Sequence, residues 1–131
     1  SLDSVVEKEY VSVNEDMSLG QLVNVISKSN TSFIPVLDNA GILLGEIDIT
    51  KIRHIMFRTE LYNRFRVRQI MTPVAAKLLL KDPMESVMRA FEKENANYLP
   101  VVDMNNHLIG FISRTRVFSM YRKIVSDLSD E

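Results

Sequence analysis

Slid against itself by 65 positions, the sequence aligns half to half without a gap, which restricts the chain to architectures built twice from one unit. GEIDITKI at 45–52 meets GFISRTRV at 110–117. Pro35 and Val36 meet Pro100 and Val101, Asp38 meets Asp103, Leu43 meets Leu108, Gly45 meets Gly110, Ile47 meets Ile112, and Thr50 meets Thr115. Elsewhere the halves agree in residue character.

Leu19, Leu22, Val23 and Ile26 recur at the spacing of one helical face, as do Met84, Val87, Met88 and Phe91. Ser18 with Gln21, and Asp82 with Glu85, predict capping boxes at the helix starts, with Pro83 in the first helical position. Both helices are expected to stop near an asparagine, Asn30 or Asn95. FIPVLD and YLPVVD are too short for helices and read as strands, with Pro35 and Pro100 expected at an edge or a strand start. DNAG and DMNN supply the residue types that accept positive φ in a tight turn, ahead of second strands ILLGEI and HLIGFI. A second helix follows each hairpin, N-capped by Asp48 or Ser113. Its inward residues are Ile49, Ile52, Ile55 and Met56 in one copy, and Val117, Met120, Tyr121 and Ile124 in the other. Short extended stretches precede each unit at YVSV and AAKLLL. Each unit buries too little to stand alone, so the copies are expected to pack together.

The 131 residues and 46% hydrophobic content suit one compact domain or two small ones sharing a core. A formal charge of −1 gives no basic field to attract nucleic acid or an anionic membrane, so any electrostatic role is local. The lack of cysteine removes disulfides and thiolate chemistry and fits a reducing compartment. No apolar run approaches the roughly 20 residues of a membrane span. The start, SLDSVV, carries no initiator Met, which suggests a piece of a larger parent protein.

IMTPVAAKLLLKDPMESVMRAFEKENANYLPVVDMNNHLIGFIS, residues 70–113, resembles a cystathionine-β-synthase (CBS) domain, and the first half resembles a second, more divergent one. The signature parts are IMT at 70–72, LPVVD at 99–103 and the glycine-led strand running into a capped helix at 110–113. The resemblance implies an α+β fold: a tandem CBS pair, or Bateman module, each member with a small, mostly antiparallel sheet and two helices, related by pseudo-two-fold symmetry. Its implied division is a first domain at 1–57, a linker at 58–66, and a second domain with a helical tail at 67–131. Such modules are regulatory and non-catalytic, have clefts between the copies that can hold adenine nucleotides, and commonly dimerise; the alternatives are a ligand-free dimerisation scaffold or the regulatory module of a different transporter or enzyme. IRHIMFRTELYNRF at 52–65 and VFSMYRKIVSDLSDE at 117–131 are similar to the cytoplasmic tails of bacterial CLC-type chloride channels and exchangers. That implies a homodimer beneath a transmembrane parent, cytoplasmic, neither inserting into the membrane itself nor binding nucleic acid.

The family's nucleotide pattern of glycine, two apolar residues, Thr or Ser, two variable residues and Asp is broken twice. Lys51 and Arg116 stand where the ribose-holding Asp belongs, behind Asp48 and Ser113. A cation donates to a hydroxyl but cannot accept from it, so bidentate ribose capture is lost and AMP, ADP or ATP would need another grip. Both cations sit in a first helical turn, where the dipole disfavours them by roughly 0.3–1 kcal/mol. Lys51 has Asp48 as a neighbour; beside Arg116 stands Arg114. Two readings follow for Ser113, Arg114 and Arg116: a receptor for phosphate or carboxylate, or solvated surface cations. The resemblance adds Thr72, Pro73, Leu99, Pro100 and Thr50 as cleft residues, with Thr72 equally readable as a turn residue before Pro73.

Asp38 and Asp103 each end a strand and read as turn residues rather than an acid–base pair. His54 and His107 occupy unrelated places, so no metal site is expected. Met84, Met88 and Met120 fall on helix stripes and read as core. Arg58, Arg64, Arg66 and Arg68 form either a solvated connector or a contact for acidic lipid or the parent.

Overall fold

The structure is a computed structural model describing residues 2–129. Two compact units divide the chain. The N-repeat unit is Val11–Val74; the C-repeat unit joins the chain up to Tyr10 with the chain from Ala75 onward.

In the N-repeat unit, β1 (Val13–Asn14) pairs in parallel with β2 (Phe33–Leu37), which pairs antiparallel with β3 (Leu43–Asp48). Helix α1 (Leu19–Ser27) comes between β1 and β2, and its predicted box forms: Ser18 Oγ accepts the Gln21 N–H at 3.1 Å while Gln21 Oε1 accepts the Ser18 N–H at 2.9 Å. Val13, Leu19, Leu22, Ile34, Val36, Ile47, Ile52 and Val67 make the core. Helix α2 (Ile49–Ile52) follows β3 and has only four residues. The expected longer helix fails here, because Ile55 and Met56 enter a run of turns and pack on the core from there. A 3-10 turn at Thr59–Leu61 and helix α3 (Val67–Ile70) complete the unit.

The stretch read as a linker is tied down. Leu19 and Gly20 donate backbone N–H bonds to Phe65 and Tyr62, and Leu61, Tyr62 and Phe65 pack on the core. Of the four clustered arginines in and just after it, Arg58 pairs with Glu60 at 2.8 Å, and Arg68, in α3, pairs with Asp16.

The C-repeat unit contains α4 (Met84–Glu94), the antiparallel pair β4 (Tyr98–Val102) and β5 (Leu108–Ser113), and α5 (Arg114–Ser129). Its core is Leu2, Val5, Leu78, Val87, Phe91, Leu99, Val101, Ile112 and Val117, and Met84, Met88 and Met120 pack against it as their stripes foretold. The second capping box does not form. Pro83 is itself the N-cap of α4, and Asp82 turns back to accept the Leu79 N–H at 2.9 Å. At the other end Asn95 closes α4 in the left-handed conformation, φ 49°. Among the described residues, no helix is long and apolar enough to cross a membrane.

The division at 57/58 and 66/67 follows the repeat; the compact units follow an exchange of leading segments. Glu7 and Phe111 exchange backbone hydrogen bonds at 2.8 and 2.9 Å, as Thr72 and Glu46 do at 2.9 Å each. Glu7 and Thr72 occupy the same place in the two repeats, as do Phe111 and Glu46. Each repeat thus lends its first extended segment to the other's hairpin.

The exchange explains two residue choices. Pro35 and Pro100 lie inside their strands, not at the starts, opposite Glu46 and Phe111. Because those partners spend both backbone groups on the lent segment, the proline's missing N–H leaves no ladder bond broken. Gly45 and Gly110 are where the lent backbone comes closest. A Cβ on Gly45 would stand 2.8 Å from the Thr72 carbonyl oxygen, and one on Gly110 would collide with that of Glu7.

The turns match expectation. Gly41 has φ 88° and its counterpart Asn106 has φ 66°. Asp38 Oδ1 accepts the N–H groups of Ala40 and Ile42, and Asp103 Oδ1 those of Asn105 and His107, all at 2.9 Å. The His107 N–H, with that of Asn105 behind it, holds the Asp103 carboxyl below its ordinary range.

Candidate functional site

Strand register decides which side chains share a face. Residues directly opposite on an antiparallel pair project to the same side, and alternate pairs project to opposite sides. In the C-repeat unit, Leu99 with Ile112 faces the core, and Tyr98 with Ser113 and Pro100 with Phe111 lie on the opposite, outward side of the sheet, where Pro100 and Ser113 are nonetheless buried. In the N-repeat unit Ile34 with Ile47 faces the core, and Phe33 with Asp48 and Pro35 with Glu46 lie on the opposite, outward side, where Pro35 is nonetheless buried. The two outward faces, each running into a capped helix head, are the candidate sites.

The residues predicted for a site fall into two groups. Asp48, Thr50, Lys51, Thr72 and Pro73 belong to the N-repeat unit, Leu99, Pro100, Ser113, Arg114 and Arg116 to the C-repeat unit. Leu99 is a core residue at 4% exposure, so its side chain is committed to packing.

At the N-repeat site, Asp48 Oδ1 accepts the Thr50 N–H at 3.1 Å and caps α2. The Thr72 hydroxyl donates to the Glu46 carbonyl at 3.4 Å. Glu46 went unnoticed in the sequence reading because its role depends on the pairing with Thr72, which no local pattern encodes. Half-burial, then the charge of Asp48, raises the Glu46 carboxyl above its ordinary value, with Lys51 opposing.

At the C-repeat site, Ser113 is buried and its Oγ accepts the Arg116 N–H at 3.2 Å, so the predicted N-cap holds. Arg114 donates its N–H to the Asn97 carbonyl at 2.8 Å and lays its guanidinium 5.2 Å from the Phe118 ring centroid. Residues two apart on a helix are turned by about 200°, so Arg114 and Arg116 do not converge on one point. The expected double fork reduces to Arg116, which is exposed. The rest of the face is aromatic: Tyr98 is 56% exposed, and Tyr10 meets the Phe111 ring edge-on at 5.7 Å. Tyr98 and Tyr10 were also missed as site residues. Periodicity shows Tyr98 only as part of a strand, and Tyr10 arrives on the lent segment.

Among the described residues, no three His, Cys, Asp or Glu side chains are grouped to hold a metal ion.

The model of the CBS domain family matches residues 2–58 and again 67–123. Inosine-5'-monophosphate dehydrogenase of Methanocaldococcus jannaschii is 31% identical over 113 residues, 85% of this chain and 21% of that protein. The glycine betaine/carnitine/choline transport ATP-binding protein OpuCA of Bacillus subtilis is 25% identical over 113 residues, 86% of this chain and 28% of that protein. The chain thus spans about a fifth to a quarter of the length of these curated relatives. The cytosolic domain of the Mg2+ channel MgtE, solved in complex with ATP, superposes with a TM-score of 0.70 at 25% identity, covering 88% of this chain and 46% of that one. With both repeats matched and the fold shared, the chain belongs to the CBS domain family.

Proposed function

We propose that the chain is a non-catalytic regulatory module that binds an adenine nucleotide and adjusts a larger protein to which it is joined. The observation that carries this most is the related MgtE cytosolic domain holding ATP on the same fold. The exposed aromatic and cationic residues of the C-repeat face suit such a ligand. The module acts by population shift: a nucleotide moves the parent only to the extent that it binds one of the parent's states more tightly than the other. A transporter or channel is the favoured parent, since a transport ATP-binding protein and a Mg2+ channel are among the relatives. A CLC-type parent rests on residues 52–65 and 117–131 alone. Two copies associate in this reading, supported by exposed apolar residues along α5: Ile124 and Val125 at 44% and 45% exposure and Leu128 at 66%. The second reading, a scaffold without ligand, is favoured by Lys51 and Arg116 standing where the family's ribose carboxylate belongs.

A thermal-shift series with AMP, ADP and ATP separates the two. A nucleotide at a hundred times its Kd stabilises by about 2.7 kcal/mol, several degrees for a domain this size. No shift with any of them selects the scaffold. Light scattering on the chain tests the dimer.

A further inference from the structure

Two faces built on one plan carry different chemistry. At the N-repeat face the outward carboxylates of Glu46 and Asp48 outnumber Lys51 and leave one net negative charge. At the C-repeat face the same two positions are the uncharged Phe111 and Ser113, and Arg116 is balanced by the lent segment's Glu7, leaving no net charge. A phosphate-bearing ligand is repelled by the first face, over the few ångströms where screening is weakest, and meets no such barrier to Arg116 on the second. An aromatic base finds an open ring on both faces, Phe33 at 50% and Tyr98 at 56% exposure. Only Tyr98 has no carboxylate opposite it: its partner across the strands is Ser113, that of Phe33 is Asp48.

Resting on the nucleotide reading above, we propose that the two repeats have diverged into one working site and one silent counterpart. The outward face of β4 and β5 takes the nucleotide, its base on Tyr98 and its phosphates on Arg116, and the equivalent face of β2 and β3 takes none. Arg116 thereby replaces ribose capture with phosphate capture, so affinity rises with phosphate number, ATP over ADP over AMP. The stoichiometry is one nucleotide per chain.

The test is calorimetric titration of the intact chain and three variants, all at exposed positions, with folding checked by unchanged Tm. Arg116→Glu is expected to weaken ATP about tenfold or more, and inorganic tripolyphosphate with it. Tyr98→Ala is expected to weaken ATP about tenfold and leave tripolyphosphate unchanged. Lys51→Glu is expected to leave both unchanged. ATP binding lost in Lys51→Glu and kept in Arg116→Glu, or two equal sites per chain, overturns this assignment and leaves the nucleotide reading intact. A wild-type chain that binds no nucleotide overturns both.

Discussion

Asp38 and Asp103 fold the same turn, Gly41 and Asn106 supply its positive φ, and Gly45 and Gly110 admit the same lent strand; Glu46 and Phe111, equally equivalent, share nothing chemically. At the turns and under the lent strand, backbone geometry leaves little choice of residue. Glu46 and Phe111 lie on the side of the sheet away from the core, where the fold tolerates either residue. Duplication has kept the scaffold and released the surface, and the helices show the same freedom: α2 stops after four residues, while α5 runs for sixteen.

The comparison can be broken hardest in the cores. Phe91 is fully buried, while its counterpart Ile26 is half-buried. Phe91→Ala is expected to cost about 4 kcal/mol and Ile26→Ala about 2 kcal/mol in urea denaturation. Equal costs would mean that the two units are packed alike.

Next in size is the lent strand. Gly110→Ala drives a methyl into the Glu7 carbonyl and the Val6 side chain, Gly45→Ala only against Thr72 and Met71. Overpacking of this kind costs about 3 kcal/mol at the tighter site and about 1 kcal/mol at the looser one. Faster amide exchange of Phe111 in Gly110→Ala would show that the edge pairing is what gives way.

Helix starts give a smaller contrast. Ser18→Ala removes a working box and is expected to cost about 1 kcal/mol. Glu85→Ala, in a box that does not form, is expected to stay within about 0.5 kcal/mol. Thermal melts of the two variants check this directly.

The smallest effect separates the outward faces by pH. Glu46 is raised above its ordinary value of 4.5 by burial and then by Asp48, so the folded chain holds that proton more tightly than the unfolded one. Stability from this group therefore falls as pH rises through and above that value. Glu46→Gln should raise Tm at pH 7 and lose its advantage near pH 4; no difference at pH 7 would mean that the carboxylate is at ease.

What could be read from the sequence was local or periodic. The repeat, the hairpins, the turn aspartates and the caps at Ser18, Asp48 and Ser113 all follow from residue types at short spacing, and the structure has them. The exchange of Glu7 and Thr72 between repeats leaves no such trace, since it joins Glu7 to Phe111 and Thr72 to Glu46 across spacings no local pattern spans. Without it, Pro35 and Pro100 look like strand starts, Glu46 carries no signal at all, and Thr72 is grouped with Ser113. The end of α2 was missed because Ile55 and Met56 keep the helical stripe while the chain turns. Packing on the core satisfied those side chains from a different backbone path.

Amide chemical-shift mapping of the chain titrated with ATP tests the central claim most directly. The account predicts saturable shifts at Tyr98 and from Ser113 to Arg116, with the amides of Phe33 and of Asp48 to Lys51 unmoved. Shifts at the N-repeat face, or at both faces alike, would contradict it.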